Sequence, residues 1–324
     1  MTTNTNRLAD VSQQSADDCA ALREILAGLS LPQKTLSPKF FYDERGSELF
    51  EEITRLPEYY LTGTERRIMQ NNIGAIADLV GEHASLIEFG AGSNEKIRLL
   101  LKHLHSPAVY VPVDISADYL AAAAEDLAQD FPHIEILPVA ADFTRPFDLP
   151  NPRIAPRRNI VYFPGSTIGN FSRNDALNLL EVMYLEAGAD GGLLIGVDLQ
   201  KDKDVIERAY NDSAGVTADF NLNALHHLNR EFDATFNVDA FEHQAIYNDD
   251  PGRIEMYLIS LEDQTFDVAD RGFSMTKGER ILTEYSHKYS LEGFAALAAQ
   301  AGFTVEQVFT DDNEWFSVQY CTRR

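Results

Sequence analysis

The chain has 324 residues, a formal net charge of −24 and 44% hydrophobic residues. That acidity argues against nucleic acid or an anionic membrane as partner, since both call for a basic surface. No apolar run of about 18 residues offers a membrane span. The two cysteines, Cys19 and Cys321, lie near opposite ends. They form neither a disulfide framework nor a metal-ligand spacing, and the N-terminus lacks the apolar core of a signal peptide, so a cytoplasmic protein without a metal is expected.

Residues 1–15 are polar and expected to fray. Asp17 to Leu29 has helical spacing, with Ala20, Leu22, Ile25, Leu26 and Leu29 as its apolar positions. Residues 36–65 are unusually aromatic (Phe40, Phe41, Tyr42, Phe50, Tyr59, Tyr60). Ser47 reads as the cap of a short helix through Phe50, Ile53 and Leu56, stopped by Pro57. Tyrosines in loop-like surroundings need partners for their hydroxyls, as a lid over a small-molecule site would provide. Thr64 to Gly81 reads as a helix leading into a sheet.

The stretch SLIEFGAGSNEK, residues 85–96, organises the rest of the chain. Leu86, Ile87 and Phe89 form a buried strand. Gly90-Ala91-Gly92 turns sharply, and a helix restarts at Ser93, Asn94 and Glu95. Strand, glycine turn and helix start make the nucleotide-binding corner of a doubly wound sheet. Glu95 stands where a dinucleotide fingerprint has its third glycine, which disfavours pyrophosphate. Glu88 and the absence of a phosphate-binding lysine pattern suit S-adenosylmethionine (SAM) better.

The βα rhythm continues. Ala108 to Val113 is a second strand ending at Asp114, placed to accept from ribose hydroxyls. Ala117 to Phe131 is a helix. Ile134 to Ala140 is a third strand, followed by Asp142 for an adenine amino group and Phe143 to cover the ring. Asn159 to Phe163 is the fourth strand. PGSTIGNF (164–171) lies beyond its carboxyl end, where open α/β sheets bind ligands, with Gly165, Gly169 and Asn170. Gly192 to Leu199 is the fifth strand and Asp202 to Tyr210 a helix.

The pattern then breaks. A helix (Phe220 to Arg230) precedes candidate strands at Thr235 to Phe241, His243 to Asn248 and Arg253 to Leu261, with Asp249-Asp250-Pro251-Gly252 as a hairpin turn. Asp263 onward reads as polar. Glu279 to Tyr289 alternates, placing Leu282, Glu284 and Ser286 on one strand face. Ser290 to Ala301 is a helix, and Thr304 to Phe309 with Trp315 to Cys321 a closing hairpin.

With LSPKFFYDERGSELFEEITRLPEYY, IEFGAGSNEK, PGSTIGNF, YNDSAGVTADFN and RILTEYSHKY in order, the chain resembles the histidine N-alpha-methyltransferases of ergothioneine biosynthesis (the EgtD family) from about residue 36 to its end. The resemblance implies a class I SAM-dependent methyltransferase: an α/β, Rossmann-like doubly wound sheet ending in an antiparallel hairpin, with an inserted α+β substrate-binding subdomain. The expected division is an N-terminal helical and aromatic segment (1–61), a SAM-binding domain (62–210 and 285–324) and the insertion (211–284). The implied reaction trimethylates the alpha-amino group of L-histidine to hercynine, in a monomer without a metal.

By the same resemblance, Tyr42, Gly90, Lys96, Asp114, Asp142 and Phe143 are SAM contacts. Asn170 and Tyr210 bind the substrate carboxylate, and Tyr59, Glu284 and Ser286 read the imidazole. Met256 lies near the ring, and Tyr42, Gly165 and Phe50 near the reacting amine. Related members methylate tryptophan-derived amines, and a carboxylate at Glu284 disfavours an indole. The alternatives are another amino-acid or tryptophan-derived amine as substrate, or a non-catalytic SAM-binding protein.

Overall fold

The structure, a computed structural model, describes residues 19–92 and 94–323. The expected frayed terminus, the first residues of the expected 17–29 helix and Ser93 lie outside the described residues. In chain order, helix α1 spans 19–29, followed by β1 (Lys34–Thr35), α2 (Glu44–Ile53), α3 (Tyr60–Val80), β2 (Ala84–Phe89), α4 (Asn94–Leu101), β3 (Val109–Asp114) and α5 (Ala117–Asp130). Then come β4 (Glu135–Ile136), β5 (Val139–Ala140), β6 (Arg158–Phe163), α6 (Arg173–Ala187), β7 (Gly192–Asp198), α7 (Lys203–Tyr210) and α8 (Val216–Glu231). The chain closes with β8 (Phe241–Asn248), β9 (Arg253–Ser260), β10 (Gln264–Val268), β11 (Arg271–Met275), β12 (Arg280–His287), α9 (Leu291–Gln300), β13 (Phe303–Thr310) and β14 (Phe316–Arg323).

The chain divides into two compact units. One comprises the chain through Tyr59, Asp202–Asp250 and Ile254–Tyr285; the other comprises Tyr60–Lys201, Pro251–Arg253 and the chain from Ser286. The larger sheet belongs to the second unit. Its strands run β13-β14-β7-β6-β2-β3-β4, with β5 also on β3. Strands β2, β3, β4, β6 and β7 pair in parallel, and β14 and β13 return antiparallel. This is the expected doubly wound sheet with a closing hairpin. Its central strands β2 and β7 are buried along their whole length, as strands covered on both faces must be. Leu179, Leu180 and Met183 of α6 and Phe294 and Leu297 of α9 seal one core, each buried apolar side chain contributing roughly 1.5–3 kcal/mol.

The first unit holds a four-stranded sheet, β1-β12-β9-β8. A core of Ile25, Leu29, Phe40, Leu225, Leu228, Leu258 and Ile281 fills it. A smaller aromatic cluster of Phe41, Leu49, Ile53 and Phe220 joins α2 to α8.

Several expected elements differ in extent. Asp43, not Ser47, caps α2: its carboxylate accepts from the Gly46 N–H at 2.7 Å, and the helix ends at Ile53, ahead of Pro57. Helix α3 begins at Tyr60 rather than Thr64, and α8 at Val216 rather than Phe220. The strand expected over 134–140 is split, because Pro138 has no N–H to keep a ladder going. Its halves pair with different ends of β3. The strand expected at 235–241 is absent. The Asn229 amide takes both the N–H (2.9 Å) and the C=O (2.8 Å) of Phe236, leaving neither for a ladder. Conversely, the stretch from Asp263 read as polar contains the hairpin β10–β11. There Phe266 and Val268 alternate inward between exposed Thr265 and Asp267.

Asp43 also accepts from Asn223 and from Arg230, each at 2.7 Å. Burial would raise its carboxyl, but Arg230, the Gly46 N–H and Asn223 outweigh burial and hold it below the usual carboxylate range. Asp43→Ala is expected to remove about 1–2 kcal/mol of stability at neutral pH, the scale of a lost cap. Because the folded carboxyl is the stronger acid, the difference from wild type shrinks as pH falls below about 3.9. Thermal denaturation from pH 3 to 7 reads both effects, and a pH-independent difference would contradict the assignment.

Candidate active site

In the second unit, the turn after β2 is pinned to β3: the Gly90 and Ala91 N–H groups both donate to the Val113 carbonyl, at 2.9 and 3.2 Å. Gly90 has φ +69°, a conformation that only glycine adopts without strain. A side-chain carbon there would fall 3.6 Å from the Phe143 ring, so Phe143 roofs the bare backbone. Phe143 itself rests on Phe89 and Phe163, with centroids at 5.6 and 6.0 Å. Asp114 ends β3. One of its oxygens accepts from the Ser116 N–H at 3.1 Å, and partial burial raises its carboxyl. Asp142 is exposed and folds back onto Thr144, accepting from its N–H and hydroxyl. Gly90, Asp114 and Phe143 thus gather at the carboxyl ends of β2 and β3.

Lys96 does not point freely into that corner. It forms an ion pair with Glu65, a carboxylate only 1% exposed on α3. Glu65 also accepts from the Gly165 N–H, at 2.9 and 3.1 Å. One buried carboxylate therefore ties the expected SAM contact Lys96 to the expected amine-site residue Gly165. Gly165 (φ +81°) and Ser166 (φ +58°) are both left-handed, which turns the chain sharply after β6. The next turn carries half-buried Asn170. Its Gly169 is obligatory, since a side-chain carbon would lie 2.7 Å from the His287 carbonyl oxygen.

At the carboxyl end of β7 sits a group that sequence reading missed. Asp198 accepts from Lys288 (2.7 Å), Lys201 (2.6 Å) and the Tyr60 hydroxyl (2.9 Å). Lys288 also donates to the expected imidazole reader Ser286 at 2.8 Å. Burial pushes Lys201 down to about 8; Asp198 opposes this and Lys288 adds to it. Lys288 lies in the motif RILTEYSHKY, and Asp198 at the strand end where α/β sheets bind ligands. Those positions were the available signals.

In the first unit, Tyr42, Phe50, Tyr59, Tyr210 and Phe220 form a chain of edge and tilted ring contacts. Centroids are 5.7 Å for Tyr42–Phe50, 6.4 Å for Phe50–Tyr59 and 6.0 Å for Tyr59–Tyr210. Phe220, not singled out from sequence, touches Phe41, Tyr42 and Phe50. Tyr42 is 45% exposed, yet poor hydration around its hydroxyl, helped by Glu284, Tyr59 and Tyr210, raises its phenol well above the usual value. Glu284, on β12, is buried. The structure thus brings Tyr42, Phe50, Tyr59, Tyr210 and Glu284 into one neighbourhood. Met256 is buried in β9, where its carbonyl accepts from the Thr283 hydroxyl at 3.1 Å.

A second buried carboxyl, Glu88, accepts from the Tyr110 hydroxyl at 2.6 Å. Burial raises it to about 7 against the opposing pull of Tyr110 and Lys96, and Glu65 raises it further. An acid raised in the folded state favours folding below its unfolded pKa, and that contribution is lost as pH rises through the folded value. Glu88→Gln is therefore expected to match wild type near pH 4 and to become the more stable protein above pH 7, by up to about 3 kcal/mol. Melting temperatures across that range test this; a constant offset would show that Glu88 stays ionised in the fold.

The family model for histidine-specific, SAM-dependent methyltransferases matches residues 21–323. A histidine N-alpha-methyltransferase of Mycolicibacterium smegmatis is 39% identical over 309 residues, 94% of this chain and 95% of that protein. Its counterpart in Mycobacterium tuberculosis is 37% identical over 305 residues, 92% and 94% of the two chains. Ergothioneine biosynthesis protein 1 of Neurospora crassa is 29% identical over 328 residues, covering 95% of this chain but 37% of that protein. The chain, with its class I methyltransferase sheet, belongs to the histidine-specific, SAM-dependent methyltransferase family.

Proposed function

We propose that this chain methylates the alpha-amino nitrogen of L-histidine three times, giving hercynine at the entry to ergothioneine synthesis. The family match across residues 21–323 carries the reaction class and the substrate. Buried Glu284, whose charge acts on the nearby Tyr42 phenol, supports a ring that donates an N–H.

The second unit's residues fit SAM. The Gly90 turn, in a conformation that glycine adopts freely, lets a ligand approach the end of β2, the Phe143 ring beside it offers a face to an adenine, and Asp114 at the end of β3 is placed to accept from a ribose hydroxyl. SAM, when bound, supplies an electrophilic methyl on a positively charged sulfur. The chain's own residues then have three tasks. Lys96, oriented by Glu65, offers a cation to the methionyl carboxylate. Asn170 and Tyr210 hold the carboxylate of the amino-acid substrate, with Gly165 near its amine. Tyr59, Glu284 and Ser286 read the imidazole.

Tyr42 works as a neutral phenol. Its raised pKa leaves no phenolate at neutral pH, so its oxygen accepts a hydrogen bond from the amine rather than removing a proton as a strong base. The amine must therefore arrive neutral or lose its proton to water. The faces of Tyr42 and Phe50 suit the quaternary ammonium that accumulates with each methyl. Alignment of the two reactants supplies several kcal/mol of barrier reduction. The enzyme acts as a monomer on the free amino acid.

Mass spectrometry of reactions containing SAM and each of the twenty amino acids tests the substrate. Product from histidine alone, heavier by three methyls, is expected; product from tryptophan instead would remove Glu284 and Ser286 from ring recognition. Glu284→Ala is expected to raise the histidine KM at least tenfold, since a site that pairs a ring N–H loses a charged hydrogen bond. The Kd of SAM should stay within about twofold; equal loss of both affinities in calorimetry would place Glu284 outside the ring contact.

A further inference from the structure

Helix α7 ends at Tyr210, and strand β8 fastens that end at three points. β8 is the outer strand of its sheet, so its free edge has main-chain groups to offer. The Tyr247 N–H donates to the Glu207 carboxylate at 2.8 Å. Ala245 exchanges two hydrogen bonds with the Asn211 side-chain amide, at 2.9 and 3.0 Å. The third point is a side chain. His243 Nε2 lies 2.8 Å from the Tyr210 carbonyl oxygen, one of the carbonyls that a helix end leaves without an intrahelical partner.

The partners of His243 fix its protonation. A carbonyl only accepts, so Nε2 carries a hydrogen. Nδ1 lies 2.8 Å from the Asn221 amide nitrogen, which is also 3.1 Å from the Tyr257 carbonyl oxygen. Only the NH2 end of the amide can face that carbonyl, so it donates one hydrogen to Tyr257 and the other to Nδ1. The ring is therefore the neutral Nε2–H tautomer. A second proton, on Nδ1, would face the amide N–H. Turning the amide over would set its oxygen against the Tyr257 carbonyl, and Asn221 is fully buried on α8 with no water to turn to. Burial holds the His243 ring below its usual pKa, against the opposing pull of the Tyr210 carbonyl and the Asp212 carboxylate. Asp212 is itself engaged at the start of α8, accepting from the Val216 and Thr217 N–H groups at 2.9 and 2.8 Å.

Glu207 and Asn211 already fasten α7 to β8 through main-chain groups. The added histidine bond falls on the residue of α7 read as a contact to the substrate carboxylate. We propose that His243, set by Asn221 as the Nε2–H tautomer, is a positioning residue that fixes the Tyr210 main chain and so aims the Tyr210 hydroxyl at the carboxylate of the amino-acid substrate. This rests on the reading of Tyr210 as a carboxylate contact. A displacement of about 1 Å in a group that holds substrate is enough to be felt in the rate.

A double-mutant cycle tests whether His243 acts through Tyr210. At saturating SAM, Tyr210→Phe and His243→Leu are each expected to raise the histidine KM about tenfold, with the Kd of S-adenosylhomocysteine unchanged. The double variant should match Tyr210→Phe, because no hydroxyl is then left to aim. His243→Gln brings an amide N–H to the place of Nε2 and should return the KM to within about threefold of wild type. A double variant about a hundredfold worse than wild type would show that His243 acts by another route and overturn the proposal. A loss in His243→Leu without recovery in His243→Gln would assign the effect to packing and overturn it too. If Tyr210→Phe is impaired and His243→Leu is not, the carboxylate contact stands and the proposal alone falls. An unchanged KM in Tyr210→Phe removes the carboxylate reading itself, and the proposal with it.

Should His243→Leu fail to fold, the wild-type protein gives the answer. It is labelled with 15N in its histidine rings and observed at pH 6, where an ordinary imidazole, with a pKa of about 6.5, is largely protonated. The His243→Gln spectrum identifies the His243 signals by their loss. A protonated Nε2 and an unprotonated Nδ1 are the expected result. A proton on Nδ1, alone or with one on Nε2, overturns the proposal.

Discussion

A single carboxylate at the end of β7 holds together stretches far apart in sequence. Asp198 takes hydrogen bonds from Tyr60 at the start of α3, from Lys201 just beyond its own strand and from Lys288 after β12. Its backbone is engaged as well, donating to the Ser166 hydroxyl and accepting from the Tyr289 N–H. Burial works against the charge, but the two lysines keep Asp198 below the usual carboxylate range. Breaking such a buried group by removing one member typically costs about 3–5 kcal/mol, because the others are left charged and uncompensated. The turn after β6, the start of α3 and the chain at Ser286 all depend on it.

Glu65 has a similar role beneath the neighbouring loops. It reaches from α3 across β7, where Gly196 makes room: a side-chain carbon at 196 would sit 2.1 Å from a Glu65 oxygen. From there it fixes the Lys96 ammonium and the Gly165 N–H together. The loops at the carboxyl ends of the parallel strands are thus not set by loop sequence alone. Buried charges beneath them decide where Gly165, Ser166 and Lys96 stand, which is how a site made of loops gains the precision that methyl transfer demands.

The chemistry matches this emphasis on placement. Tyr42, proposed to accept a hydrogen bond from the amine, is a poorer acid in the fold than in water. No strong base is being prepared there. A displacement at a sulfonium carbon needs alignment and a neutral nucleophile, and rigid hydrogen bonds with aromatic faces supply the alignment.

Many of these features are legible in the chain itself. Strand β2, the Gly90 turn, Asp114 at the end of β3 and the closing hairpin follow from apolar runs and glycine punctuation, which are local signals. So do the motifs that carry the family resemblance. The cap of α2 differs from expectation by one turn because Ser47 and Asp43 are both good caps, and only Asn223 and Arg230, distant in sequence, favour Asp43. The missing strand at 235–241 fails through one side chain, Asn229. Glu65, Asp198, Lys201 and Lys288 had no local signal of burial: a charged residue reads as solvated until its partners arrive from other strands and helices. Sequence alone determined the order of elements and the types of residue at the strand ends, because those depend on near neighbours. Only tertiary structure decided which charges are buried and which partners hold them, because burial and pairing depend on groups brought together by folding.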